Sequence, residues 1–143
     1  MGRIAVVVVS LAIVVVSCSP AGESDGDISG PWDLVTASGS GVRYTPDPNY
    51  DTPWIQVLPE VVGSTGCNRI RWDGPPPEFA DGHLAPVPWI AEAVACEGTV
   101  AVVEAFMFAS LSHEDGAQVT IGDDGETMQW ESPTGITLDF VRQ

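Results

Sequence analysis

The chain predicts a small α+β domain, an antiparallel sheet of short strands with one helix, and three observations carry that expectation. From residue 30 onward, short apolar runs alternate with Gly, Pro, Asn and Asp turn signals. No internal repeat or heptad is present, so solenoids and coiled coils are excluded. Residues 99–111 alone carry apolar side chains at helical spacing. A length of 143 residues leaves room for one such domain.

Taken in order, residues 32–36 form the first strand candidate, after Gly30-Pro31. Residues 43–53 hold Pro46, Pro48 and Pro53 with Asp47 and Asn49, a loop by composition. Residues 54–58 are a short strand stopped by Pro59. In residues 67–72, Ile70 and Trp72 alternate with Arg69 and Arg71, the period-two pattern of a half-buried strand whose arginines face solvent. Gly74-Pro75-Pro76-Pro77 lacks the backbone donors a ladder needs and reads as loop or edge. Pro86 and Pro88 confine strands at 83–87 and 88–93 to edges or bulges. In residues 99–111, Val100, Val103, Met107 and Leu111 form one stripe, with Thr99 placed to cap it. The β-branched Thr99, Val100, Val102 and Val103 argue for a buried strand instead, but Ala101, Glu104, Ala105, Met107 and Ala109 favour the helix. Strands at 118–121, 126–131 and 135–141 close the chain, and Ile136, Leu138 and Phe140 alternating with Thr137 and Asp139 make the last the clearest.

Ahead of the domain, Arg3 precedes an apolar run over residues 4–16, followed by Ser17 and Cys18. Its 13 residues span about 20 Å as a helix, short of the roughly 30 Å hydrocarbon core, so residues 1–17 are expected to be a secretory signal peptide. Val15-Val16-Ser17-Cys18 resembles a bacterial lipobox, which makes Cys18 the expected lipidation site and new N-terminus. Residues 18–29 then read as a flexible acidic tether with Ile28 its one large apolar residue, and residues 30–143 as the domain.

The chain carries 20 acids against 5 basic residues, all arginine (Arg3, Arg43, Arg69, Arg71, Arg142), a formal charge of −15. Losing Arg3 with the leader leaves 20 acids against 4 arginines, or −16. Nucleic acid is therefore excluded as a partner, and so is attachment to an anionic membrane by charge. Membrane residence then depends on acyl chains at Cys18, palmitate among them, of which two or more anchor stably.

The Gly30-Pro31-Trp32-Asp33-Leu34-Val35 opening, Gly63-Ser64-Thr65-Gly66-Cys67-Asn68, Ala95-Cys96, an apolar helix and a closing pair of strands occur in an order that resembles the META domain, also called HslJ-like. Gly66-Cys67-Asn68 is the most specific part, and the resemblance covers about residues 29–141. It implies a curved antiparallel sheet approaching a small barrel with one packed helix, in a family whose members include bacterial envelope lipoproteins linked to stress response and drug tolerance. It implies structural roles for Gly66, Cys67, Asn68 and Cys96 and supplies no catalytic residues. The chain departs from the family at Glu92 and Val94, where Thr and Met are common.

Cys67 and Cys96 are the two cysteines left once Cys18 is modified, and export to an oxidising compartment makes a disulfide the economical reading, ahead of two buried thiols or a metal or nucleophilic role. Gly66 and Asn68 suit a tight turn, with a binding role for Asn68 as the alternative. His83 and His113 have no metal-pair spacing, and His113 falls at the end of the helix, where its dipole favours a protonated ring. Cys-x-x-Cys and phosphate-loop motifs are absent from the sequence, and no Ser stands in a Gly-x-Ser-x-Gly elbow, since Gly22-Glu23-Ser24-Asp25-Gly26 falls in the tether and not between a strand and a helix. Asp25-Gly26-Asp27-Ile28-Ser29-Gly30 starts like a calcium loop but has Thr36 where the bidentate Glu belongs. The five tryptophans, 32, 54, 72, 89 and 130, read as core and barrel-mouth packing ahead of a ligand box.

The expectation is a non-enzymatic, lipid-anchored, extracytoplasmic protein without cofactor, binding a protein or a small apolar ligand in envelope maintenance. Two alternatives stand beside it: a chaperone-like accessory domain acting on partner proteins, and an unrecognised hydrolase using an acid pair. Cys18→Ala is expected to leave the precursor uncleaved or to move the protein out of the membrane fraction, as read by fractionation and intact mass.

Overall fold

The computed structural model describes residues 26–143; the leader, Cys18 and residues 19–25 lie outside them. Eleven strands form one antiparallel sheet: β1 (Trp32–Gly39), β2 (Val42–Tyr44), β3 (Trp54–Gln56), β4 (Val61–Ser64), β5 (Arg69–Trp72), β6 (Phe79–Ala80), β7 (His83–Leu84), β8 (Ile90–Ala91), β9 (Ala117–Ile121), β10 (Thr127–Glu131) and β11 (Thr137–Arg142). Helix α1 (Gly98–Leu111) follows β8. Strand order is β6-β7-β9-β10-β11-β1-β3-β4-β5-β8, with β2 paired to β1. The sheet curls into a half-barrel, the α+β architecture expected from the sequence.

The curl follows from local causes. β9, β10 and β11 form a meander whose two turns place Gly125 and Gly135 at φ +72° and +77°, a backbone region glycine enters without strain. β11 pairs along β1 with a shift of register between Leu34 and Thr36. That bulge leaves Val35 exposed while Trp32, Leu34 and Ala37 all face inward, and it adds bend where the sheet must turn. Between β3 and β4 the strands approach so closely that a Cβ on Gly63 would collide with the Trp54 carbonyl. Inward residues from nearly every strand then share one core with Val103, Met107 and Leu111 of α1.

The two ends of the strand order, β6–β7 and β8, come from one stretch, residues 79–91. Residues 85–89 cross between them, with Val87 fully buried and its N–H donating to Leu111 O at the end of α1. The barrel is therefore closed by a connection and a helix rather than by a ladder. β6 and β8 have only two residues each, which keeps the unpaired edges short.

Several sequence expectations need correction. Residues 26–29 are part of the domain, not tether: Ile28 is 2% exposed and Trp32 Nε1 donates to Ile28 O. Arg142 donates to the carbonyls of Asp27, Ser29 and Gly125, with its guanidinium 4.2 Å from the centre of the Trp32 ring. Hydrogen bonds from the Ser29 hydroxyl and N–H hold the Asp27 carboxyl below the usual carboxylate range, with a smaller pull from Arg142. Acidic composition concealed these ties because they run through backbone carbonyls. Residues 43 and 44, the first part of the expected loop, join Val42 in edge strand β2 against Ala37–Gly39. β4 and β6 carry too little apolar pattern to be read from the sequence. Thr99 does not cap the helix; Glu97 holds that position and supplies no side-chain cap.

Replacing Ile28 by Ala is expected to lower unfolding free energy by about 2–4 kcal/mol, the usual cost of emptying a core position. Denaturant titration checks it, and an unordered tether would show no change.

Candidate functional site

The Thr65-Gly66-Cys67-Asn68 turn between β4 and β5 gathers the polar chemistry nearest to α1. Thr65 N donates to Asn68 O at 2.8 Å, and Asn68 N donates back to Thr65 Oγ1 at 2.9 Å. Gly66 sits at φ +87°, where a Cβ would lie 2.7 Å from Asp51 O. Strain and collision together make glycine the residue that fits. Asn68 contributes through its side chain and is not among the residues with positive φ.

That side chain is 2% exposed and reaches in three directions. Its Oδ1 accepts from Val94 N at 3.0 Å, and its Nδ2 faces Val94 O at 2.9 Å, Glu104 Oε2 at 2.8 Å and Cys96 Sγ at 3.2 Å. Two hydrogens serve three acceptors, so the sulfur, the weakest acceptor, receives the smallest share. Glu104, on the second turn of α1, also accepts from Thr65 Oγ1 at 2.6 Å. A carboxylate wins the single Thr65 hydrogen over the Asn68 carbonyl at 3.3 Å, because charge-assisted bonds are shorter and stronger.

Cys67 and Cys96 are joined by a disulfide across a separation of 29 residues. One covalent bond and one buried amide thus tie the turn to the segment before α1, and the amide ties it to the helix itself. Glu104 was not singled out from the sequence as a site residue; four residues after the buried Val100 it lies on the same side of the helix, flanking the apolar stripe, and only the fold brings Asn68 beside it. Among the described residues Glu104 makes no ion pair, and hydrogen bonds to Thr65 and Asn68 occupy its Oε2.

The remaining singled-out residues are dispersed. His83 lines a cleft of ≈ 380 Å³ with Gln118, Glu131 and Pro133. His113 follows the helix C-cap, where its Nδ1 accepts from Asp115 N at 3.2 Å and stands 3.8 Å from the Asp115 carboxylate. Among the described residues no three His, Cys, Asp or Glu side chains are grouped to hold a metal. Trp32 and Trp130 are core residues, and Trp89 packs edge-on against Phe108. A second cleft, of ≈ 840 Å³, lies among Asp27, Phe79, Gln118, Thr120, Asp123 and Arg142; neither cleft is lined by tryptophan. On the outer sheet face, Asp139 accepts from Thr36 Oγ1 at 2.6 Å and Gln129 Nε2 at 2.9 Å, with Arg43 at 3.6 Å.

No protein-family model and no curated protein matches the chain. Among solved structures it is similar to an NMR structure of a protein from Burkholderia xenovorans, with TM-score 0.64, 22% identity, 98% of this chain and 99% of that chain covered. A second NMR structure of a protein matches with TM-score 0.57 at 19% identity, covering 80% of this chain and 89% of the other. At these identities the likeness is one of fold.

Asn68→Ala is expected to cost about 2–4 kcal/mol, because it strands buried donors and acceptors at once. Asn68→Asp should cost more, since it sets a second carboxylate against Glu104. Replacing both Cys67 and Cys96 by Ser should cost about 3–4 kcal/mol through the loop the disulfide closes. Calorimetry on the three variants orders these effects.

Proposed function

We propose that the chain is an extracytoplasmic lipoprotein, anchored through Cys18, whose META/HslJ-like domain works without catalysis by binding a protein in envelope maintenance or stress tolerance. The observation that carries this is the apolar leader ending at Cys18 on a chain whose mature charge of −16 offers no other hold on an anionic membrane. Protein is favoured over a small apolar ligand as the bound partner. The two fully buried tryptophans pack the core and neither cleft is tryptophan-lined, whereas Ile90 and Val94, 53% and 57% exposed, lie on and just beyond edge strand β8. The chaperone-like reading draws on the same exposed side chains.

Catalysis by an acid pair is the reading with least support. Glu104 and Asp139 each accept two hydrogen bonds that hold the fold together, a structural use of a carboxylate.

Native mass spectrometry of the lipidated protein extracted from its own membrane is expected to show a diacyl or triacyl mass on Cys18 and a co-purifying protein. A bound apolar small molecule in its place would move the reading to ligand binding. Turnover of an envelope substrate, abolished by one Asp or Glu substitution at unchanged Tm, would overturn it.

A further inference from the structure

The Cys67–Cys96 disulfide is half-buried, and the two sulfurs stand in different surroundings. Cys96 lies immediately before the helix N-cap, Glu97, which supplies no side-chain hydrogen bond, and the first turn of α1 has no acidic side chain. The first N–H groups of the helix therefore receive no cap from the Glu97 side chain, one residue along the chain from Cys96. Cys96 Sγ also faces the buried Asn68 Nδ2 at 3.2 Å, with no counterpart at Cys67 Sγ among the described hydrogen bonds. Both features favour negative charge on Cys96. Glu104, which shares Asn68 Nδ2, opposes them, as do Val94 O, 3.6 Å from Cys96 Sγ, and the exposed neighbours Glu92 and Glu97.

The segment carrying Cys96 is weakly held. Of residues 92–97 only Cys96 is not exposed. Beyond the disulfide, its described ties to the rest of the fold are the two Asn68 contacts with Val94, the one from Asn68 Nδ2 to Cys96 Sγ, and one hydrogen bond from Glu92 N to Arg69 O. The helix that follows is anchored separately, by buried Val100, Val103, Met107 and Leu111. Such a segment opens locally at far smaller cost than the sheet.

We propose that the Cys67–Cys96 disulfide is an exchange-active latch that a dithiol reductant opens at Cys67, with Cys96 as the leaving sulfur. A thiolate of the reductant bonds to Cys67 Sγ as the Cys67–Cys96 bond breaks, and the electron pair leaves on Cys96 Sγ. The second thiol of the reductant, deprotonated, then displaces Cys67, so the dithiol ends as its own disulfide and its two protons reach the protein thiols through solvent. Two electrons pass to the protein, residues 92–97 come free, and the sheet and helix stay folded. The latch does not depend on the binding reading, since it concerns one bond and its neighbours.

The mature chain is incubated in native buffer with dithiothreitol, and in parallel with excess reduced glutathione followed by peptide mapping. Reduction is expected at least about tenfold faster than global unfolding, with exchange protection lost over residues 92–97 and kept in the sheet. Glutathione should be trapped on Cys67 over Cys96 by about tenfold, and Glu104→Gln should speed reduction about threefold, since it lifts the opposing charge. Reduction no faster than unfolding, glutathione on Cys96 or shared equally, or unaltered or slower reduction of Glu104→Gln would each overturn the proposal. The wild-type measurements stand by themselves if the variant folds poorly.

Discussion

The seam between β1 and β11 is the constraint on which the other elements depend. It joins the two ends of the described chain, so neither half of the sheet is complete without it: β9 and β10 build outward from β11, while β2, β3, β4 and β5 build outward from β1. The Val35 bulge lets both sides present large apolar residues to one interior and bends the sheet toward closure. Arg142 locks the outer end of the seam by donating to three carbonyls while lying over Trp32. Such non-local pairing costs loop-closure entropy before it returns any contact energy, so the hairpins of β9, β10 and β11 are the natural first structure to form.

Helix α1 is a guest of this sheet. It starts on glycine, lacks a side-chain cap and contains several valines, so its propensity alone would not sustain it. Burial of Val103, Met107 and Leu111 in the core holds one side, while Phe106 against Tyr44 and Phe108 against Trp89 cover two others. Asn68 and Glu104 add a directional polar link that fixes where along the sheet the helix sits. Apolar contact resists separation but tolerates sliding, whereas a hydrogen-bonded carboxylate does not.

Charge is arranged with similar economy. Arg43 and Arg142 are engaged with Thr36 and Asp139 and with three backbone carbonyls, whereas Arg69 and Arg71 stand exposed without an ion pair among the described residues. Most of the acids lie on turns and the outer face, where water solvates them. A domain of this charge is kept soluble by self-repulsion and depends on its apolar interior for cohesion.

Alternation of Leu138 and Phe140 with Thr137 and Asp139, the stripe of Val100, Val103, Met107 and Leu111, and the Gly-marked turns of the last three strands were all legible in the sequence, because each is a local pattern imposed by backbone geometry. So were the α+β class and the pairing of Cys67 with Cys96, the latter by simple scarcity of cysteine. Tertiary structure alone decided that Ile28 belongs to the core, that residues 42–44 and 61–64 become strands, and that Glu104 turns toward Asn68. For Ile28 and Glu104 the deciding partner is distant in the chain, Arg142 for the backbone around Ile28 and the turn before β5 for Glu104, whereas β2 and β4 are set by neighbouring strands, β1 for β2 and β3 and β5 for β4. A sequence pattern records which face of an element is apolar, but not which other element arrives to cover it, and a polar or short segment acquires structure only from that arrival.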